Sequence, residues 1–255
     1  MKFKLLLIFG LVLCLKAKSQ KTAKEKFYLY DANFKSVVSQ DSARYFMRVH
    51  KLGDTLWQWD TYNKFGPMVS SEQFKDHDGQ YPNGDFIFYH PTGYMDSTGR
   101  MVNGLPEGDW NFCNDTGKII LQKKYLSGKL LLVRDLLLEE KMEKEKGDSL
   151  SGEIKKDERE SSFPGGLVKW QRYLMKNIKY PDRAYNSKID GTIVVQFIVN
   201  TKGKTEFISL YKSVEYSLDQ EAMRILRDSP DWTPAHQDGR LVKSFKRQPI
   251  VFRFQ

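Results

Sequence analysis

The side chains with which this chain of 255 residues could make or break bonds are few and badly placed for it. His50, His77, His90 and His236 are scattered, with no i, i+4 pair to grip a metal. No glycine-rich phosphate loop, no G-x-S-x-G and no Cys–His pairing at a recognisable spacing occurs. Two cysteines, Cys14 and Cys113, exclude a disulfide framework and a cysteine zinc cluster. The carboxylates concentrate in a solvated stretch, residues 139–162. No catalytic residue, metal or cofactor is therefore expected, and the chain is not expected to be an enzyme. Lys243, Lys246, Arg247 and Arg253 gather near the C-terminus. Charge alone would allow nucleic acid there, but an export signal argues against it. A solvated strand edge, or an acidic protein partner, is the better reading. The chemistry to look for is recognition.

The elements that would carry it lie in the last third. Ile193, Val195, Phe197 and Val199 fall on one face at period two, which reads as a half-buried strand. Asn200-Thr201-Lys202-Gly203 has turn chemistry, and residues 205–211 form the return strand of a hairpin. Upstream, Leu167, Trp170, Leu174 and Ile178 make one helical stripe. Pro181 ends that helix and is placed to start a short one at 182–185. Downstream, Ser217-Leu218-Asp219-Gln220 has the spacing of a capping box, ahead of a stripe of Leu218, Ala222, Ile225 and Leu226. A last strand, residues 248–254, follows the turn residues Asp238-Gly239. Helix–strand–strand–helix–strand makes a small α+β domain, two helices packed on a short antiparallel sheet.

Six pieces of this region resemble the C-terminal domain of the TonB energy-transducer family. They are Phe163-Pro164-Gly165-Gly166, Asn177-Ile178-Lys179-Tyr180-Pro181, the strand 191–197, Leu218-Asp219-Gln220-Glu221-Ala222, the stretch 229–235 and Pro249-Ile250-Val251-Phe252. The resemblance covers residues 163–254. It implies a function without catalysis: a short peptide from an outer-membrane TonB-dependent receptor adds as a strand to the C-terminal sheet. The positions that match are Asn177, Tyr180 and Pro181, with Gln248, Ile250, Val251, Phe252, Arg253 and Phe254 on the last strand. Pro249 suits an edge strand, and Arg253 is placed to meet an acidic flank of the peptide. The simpler reading of Tyr180 and Trp232 is core and turn packing. A proline at Ile250 or Phe252 is expected to abolish addition. The resemblance also raises inner-membrane motor proteins as partners, and a homodimer through the C-terminal sheet edge.

The middle of the chain repeats at an offset of 24 residues: Gly84 to Gly108, Gly93 to Gly117, Gly104 to Gly128. Each unit reads as strand, glycine turn, strand, and the units should stack into a continuous sheet with Phe86, Phe88, Trp110 and Phe112 sharing a face. The pattern resembles the MORN-like repeats of exported bacterial proteins. Candidate strands at 26–30 and 43–50 are attached as an N-terminal cap, and the apolar run 130–138 as a terminal strand or helix. The fold class is thus mostly β plus α+β: an N-terminal array of stacked β-hairpin repeats, then the small TonB-like domain.

Residues 1–19 read as a signal peptide, with Lys2 and Lys4 before an apolar run and Ala17 and Ser19 at the cleavage positions. Cleavage would lower the net charge from +9 to +5. A short retained anchor and lipidation at Cys14 are the rival readings; the first lacks the length of a span, and Leu13 is bulky for the second. The expected location is the periplasm, soluble or anchored to the inner membrane. The expected divisions are 1–19, the array 20–138, a charged linker 139–162 as solvated helix or tether, and the TonB-like domain 163–255. The family's long proline-rich spacer is missing, and the array stands in its place. This leaves a second reading, a non-energised interaction module of the cell envelope.

Overall fold

The computed structural model describes residues 25–145 and 158–254. The expected leader with Cys14 and the middle of the charged linker lie outside them. Ten antiparallel strands make one sheet: β1 (Glu25–Tyr30), β2 (Ser36–Val37), β3 (Tyr45–Gly53), β4 (Leu56–Asn63), β5 (Met68–Phe74), β6 (Pro82–Tyr89), β7 (Met95–Val102), β8 (Leu105–Cys113), β9 (Ile119–Leu126) and β10 (Lys129–Asp135). Their spatial order is β10-β9-β8-β7-β6-β5-β4-β3-β1-β2, a meander apart from its last two strands. The 24-residue offset reappears as hydrogen bonds. After β6, the Gly93 N–H donates to the His90 carbonyl at 2.8 Å; after β8, the Gly117 N–H donates to Asn114 at 2.9 Å. At the other end, the N–H groups of Gly104 and Gly128 reach the carbonyls of Pro82 and Pro106 at 2.8 and 3.0 Å. Phe88, Ser97 and Phe112 form one cross-strand row, and the Trp110 ring lies over Gly99, where a Cβ would come within 2.1 Å of it.

Helix α1 (Leu136–Glu145) follows β10 and takes up the first part of the charged stretch. The rest of the chain folds as α2 (Gly166–Asn177), α3 (Asp182–Asn186), β11 (Gly191–Val199), β12 (Thr205–Lys212), α4 (Tyr216–Arg227), β13 (Ala235–Gln237), β14 (Arg240–Val242) and β15 (Ser244–Phe252). A three-stranded sheet runs β12-β11-β15, and β13 and β14 form a separate hairpin. The period-two set is buried as expected: Ile193, Val195, Phe197 and Val199 point inward, beside Ile250 and Phe252 of β15. Each such side chain contributes about 1.5–3 kcal/mol on burial. Arg159 and Ser162, at the far side of the linker, bridge to His236 and Thr233. The class is mostly β with an α+β C-terminal part.

Two local expectations are corrected. Of the expected stripe only Leu167 is exposed; Trp170 packs with Phe163 and Trp232, and Leu174 and Ile178 lie against the core. Ser217 is not the cap of α4. Glu215 is, its carboxylate accepting from the Ser217 N–H at 2.8 Å and the Leu218 N–H at 3.4 Å. Gln220, the supposed reciprocal partner, accepts a bond from Arg48 of β3 instead.

The array and the C-terminal part share one core, in which Phe46, Tyr62, Met68 and Tyr89 join Leu210, Leu218 and Ile225. The seam runs along the β12–α4 connection. The Ser213 N–H donates to the Gly93 carbonyl at 2.9 Å, and the Ser213 hydroxyl accepts from the Met68 N–H at 2.8 Å. That hydroxyl donates in turn to Asp219 at 2.5 Å. The Tyr89 hydroxyl donates to the Leu210 carbonyl at 3.0 Å. Arg183 of α3 donates to Glu215 at 2.6 Å and to the Lys64 carbonyl, its guanidinium lying over Phe46 and Phe65. Glu215 and Asp219 are fully buried. Burial raises the Asp219 carboxyl to about 7, outweighing the bonds from Ser213 and Val214 that favour its charge.

Two outcomes follow from this seam. Folded Asp219 binds its proton more tightly than the unfolded chain does. Its contribution is therefore fully present below the ordinary aspartate range and is lost as pH rises to about 7. The unfolding free energy of the wild type should fall over that window relative to Asp219→Asn, by a few kcal/mol; parallel pH profiles would contradict it. Gly93→Ala should destabilise the fold by about 1–3 kcal/mol more than Gly104→Ala. Both sites have positive φ (85° and 80°), but a Cβ at Gly93 would sit 2.2 Å from the Ser213 carbonyl oxygen, while at Gly104 nothing lies within 4 Å.

Candidate functional site

The last strand is longer at its start than the sequence suggests and ends sooner, so Arg253 and Phe254 lie beyond it. β15 is the terminal strand of its sheet, and no described residue pairs with its outer side. Its register with β11 is unbroken from Gly191↔Phe252 to Val199↔Ser244. Pro249 sits opposite Val194 in that register. A proline has no N–H to give, so it belongs where the backbone faces away from its partner. The Pro249 carbonyl accepts from its neighbour's side chain, Gln248 Nε2, at 3.2 Å, in keeping with an outward-facing unit. Alternation then turns the backbone groups of Phe245, Arg247 and Val251 toward the open edge. Those of Lys246, Gln248, Ile250 and Phe252 face β11. A proline at Ile250 or Phe252 would thus cut the strand's own ladder and disturb two buried side chains, and it cannot serve as a clean test of peptide addition. The loss of binding expected from the sequence would then follow from the broken ladder as much as from a blocked edge.

The other candidate residues are gathered near the end of this strand. Tyr180 packs edge-on to Phe252 and tilted against Phe254, with ring centroids 5.7 and 5.3 Å apart, and Tyr185 completes the group. The Tyr180 hydroxyl donates to the Ile189 carbonyl at 2.6 Å, and burial raises its pKa. Pro181 caps the start of α3 in an extended conformation. Asn177 serves the fold: its amide donates to the Tyr173 carbonyl at 2.8 Å, and its carbonyl accepts from Arg224 at 2.8 Å. Tyr180 thus braces the end of the edge strand, while Asn177 faces the helix behind it. Trp232 is buried with Phe163, Trp170 and Phe197, as core packing requires.

The basic cluster of the sequence is dispersed in space. Lys243 pairs with Glu206 at 3.5 Å and Lys246 with Glu160 at 2.9 Å. Arg247 lies 3.6 Å over the Tyr211 ring and 5.4 Å from that of Phe245. Arg253 is exposed and pairs with no described residue. Sequence reading missed Tyr185, Tyr211 and Phe245; Tyr185 meets Phe254 and Tyr211 meets Arg247 only through the fold. Among the described residues no three potential metal ligands come together, and no helix is long and apolar enough to cross a membrane.

Residues 176–254, from the last turn of α2 through β15, match the family model for the Gram-negative bacterial TonB protein C-terminal region. Residues 163–166, quoted above as part of the resemblance, lie before the matched stretch. No curated protein and no solved structure matches the chain. The part of the chain that is similar to this family is the part that carries the open β15 edge.

Proposed function

We propose that this is an exported envelope protein that captures an extended segment of an outer-membrane TonB-dependent receptor by adding it as a strand to β15. The observation that carries this is the outer side of β15, which no described residue pairs with, inside the stretch matching the TonB C-terminal family. Main-chain bonds from Arg247 and Val251 would supply affinity, and the exposed side chains of Phe245 and Val251 would favour apolar residues on one face of the peptide. Pro249 interrupts the row of donors and would set the register. Arg253 and the Tyr180–Phe254 cluster would meet the peptide's end, with an acidic residue opposite Arg253. In this reading residues 20–138 are a β-hairpin array of MORN-like type, 139–162 a linker, and 163–255 the receptor-binding domain. Coupling to inner-membrane motors, and thus energised transport, needs an anchor at residues 1–19.

A second reading is favoured by the seam. The C-terminal unit shares a buried core with the array (Phe46, Tyr62 and Tyr89 among others), so it is fixed to a rigid mount instead of ending a long spacer. That suits an interaction module holding receptors or other envelope proteins without transmitting force.

Val251→Pro removes an outward N–H without breaking the β11 ladder. A synthetic peptide from a receptor's N-terminal extension should then bind about tenfold more weakly or worse by calorimetry, with the melting temperature nearly unchanged. Ile250→Pro should instead unfold the C-terminal sheet. Unchanged peptide affinity in a folded Val251→Pro variant would overturn strand addition at this edge.

A further inference from the structure

The first helix of the C-terminal unit turns both apolar and cationic side chains to solvent. α2 buries Trp170, with Tyr173 and Leu174 packed against the core. At about 100° per residue, Val168 and Met175 fall on one line that points away from Trp170, with Leu167 to one side. Val168, Met175 and Leu167 keep 67, 85 and 68% of their surface exposed. Arg172, Lys176 and Lys169 fall together on the other side of that line. Residues 161–181 hold these three cations and Lys179, and no carboxylate. None of the three has an ion-pair partner among the described residues. The carboxylates that come near Tyr173, Asp228 and Glu221, are both held by Arg224, at 2.8 and 2.7 Å. A groove of about 310 Å³ opens beside the cations, lined by Lys169, Arg172 and Lys176, by Tyr173, and by Phe163 and Pro164 ahead of the helix.

We infer that the outer face of α2 docks on an anionic phospholipid surface, with Val168, Met175 and Leu167 entering the interface and the groove taking lipid phosphates. Charge selects an anion: three cations gathered on one flank, with no carboxylate to answer them, make a local positive field. Shape selects a surface. The apolar side chains stand on the crest of a convex helix, where a flat apolar phase reaches all of them at once. An acidic peptide lying in the groove would leave that crest in water. An apolar crest beside a cationic flank is the complement of an amphiphile, and it is the pattern of helices that lie in a membrane interface. The long stems of Lys169, Arg172 and Lys176 let their charged ends stay level with the headgroups while the crest sits deeper. No β15 residue takes part, so the inference stands apart from what that strand binds.

Flotation of the purified chain with phosphatidylcholine vesicles containing phosphatidylglycerol should show binding that pure phosphatidylcholine does not support and that falls with salt. Arg172→Glu with Lys176→Glu, and separately Val168→Gln with Met175→Gln, should each weaken it about tenfold or more. The melting temperature should stay nearly unchanged, because all four side chains are exposed. A polarity-sensitive dye on Met175→Cys, with Cys14→Ser and the native Cys113 buried, should shift to the blue on these vesicles. The same dye on Asp54→Cys, in the turn between β3 and β4, should not. The dye reads the contact directly, so the test holds even if a charged variant misfolds. No binding to the anionic vesicles, an unshifted dye at Met175, or binding that survives the charge reversals would overturn the proposal. So would binding that needs the cations but ignores Val168→Gln with Met175→Gln, which would leave a site for a free anion and no docking on lipid.

Discussion

An open β-sheet ends in two rows of unpaired backbone groups, and in this protein the fate of those rows explains most of the architecture. The two larger sheets give four ends. β2, at one end of the large sheet, is only two residues long. β12 runs into the array, where Lys212 bridges to Tyr94. Its register with β11 is also interrupted twice. That leaves β15 and β10 as the full-length edges with no partner among the described residues, and they differ in chemistry. β15 alternates exposed and inward side chains, carries a proline and ends in an aromatic brace. β10 exposes apolar residues on both faces between charged ends. An edge of the first kind suits a peptide read in one register, and an edge of the second kind suits a partner that shields leucines.

What fixes this arrangement is the seam between array and C-terminal unit. The array engages the end of β12, at the Leu210 carbonyl, at Lys212 and at the following Ser213, while no described residue pairs with the outer side of β15. Burying Glu215 and Asp219 is costly. Glu215 answers the cost with Arg183 and the α4 cap, and Asp219 answers it with two donors and a proton held up to about neutral pH. Breaking such a buried pair on one side leaves a stranded charge, which costs more than the pair contributes. The seam therefore behaves as an all-or-none contact, and it gives the C-terminal unit a fixed orientation on its mount.

Much of this was legible in the sequence because it is local. The 24-residue offset is turn chemistry repeated, so Gly93 and Gly117 announce the hairpins by themselves. The burial of Ile193, Val195, Phe197 and Val199 follows from period two alone, and Pro249 marks an edge strand before any sheet is known. The failures are mostly non-local. Ser217-x-x-Gln220 satisfies the capping spacing, yet Glu215 lies closer to the first free N–H groups and Gln220 is drawn away by Arg48, 172 residues distant in the chain. Leu167 fits a helical stripe, but Phe163 and Trp232 fix the buried face at Trp170. The basic cluster near the C-terminus dissolves because Glu160, Glu206 and Tyr211 each claim one member. Pro249 identified an edge but not its parity, and only the register to β11 shows that Arg247 and Val251 face outward.

That parity is the core of the account, and amide hydrogen exchange reads it residue by residue. With no peptide, the N–H groups of Gln248 and Ile250 should exchange slowly, and those of Arg247 and Val251 quickly. Adding a synthetic peptide from a receptor's N-terminal extension should slow Arg247 and Val251 selectively, since only outward groups gain a partner. If peptide binding leaves those two amides unprotected, or protects another part of the chain instead, β15 is not the binding edge and the account fails at its centre.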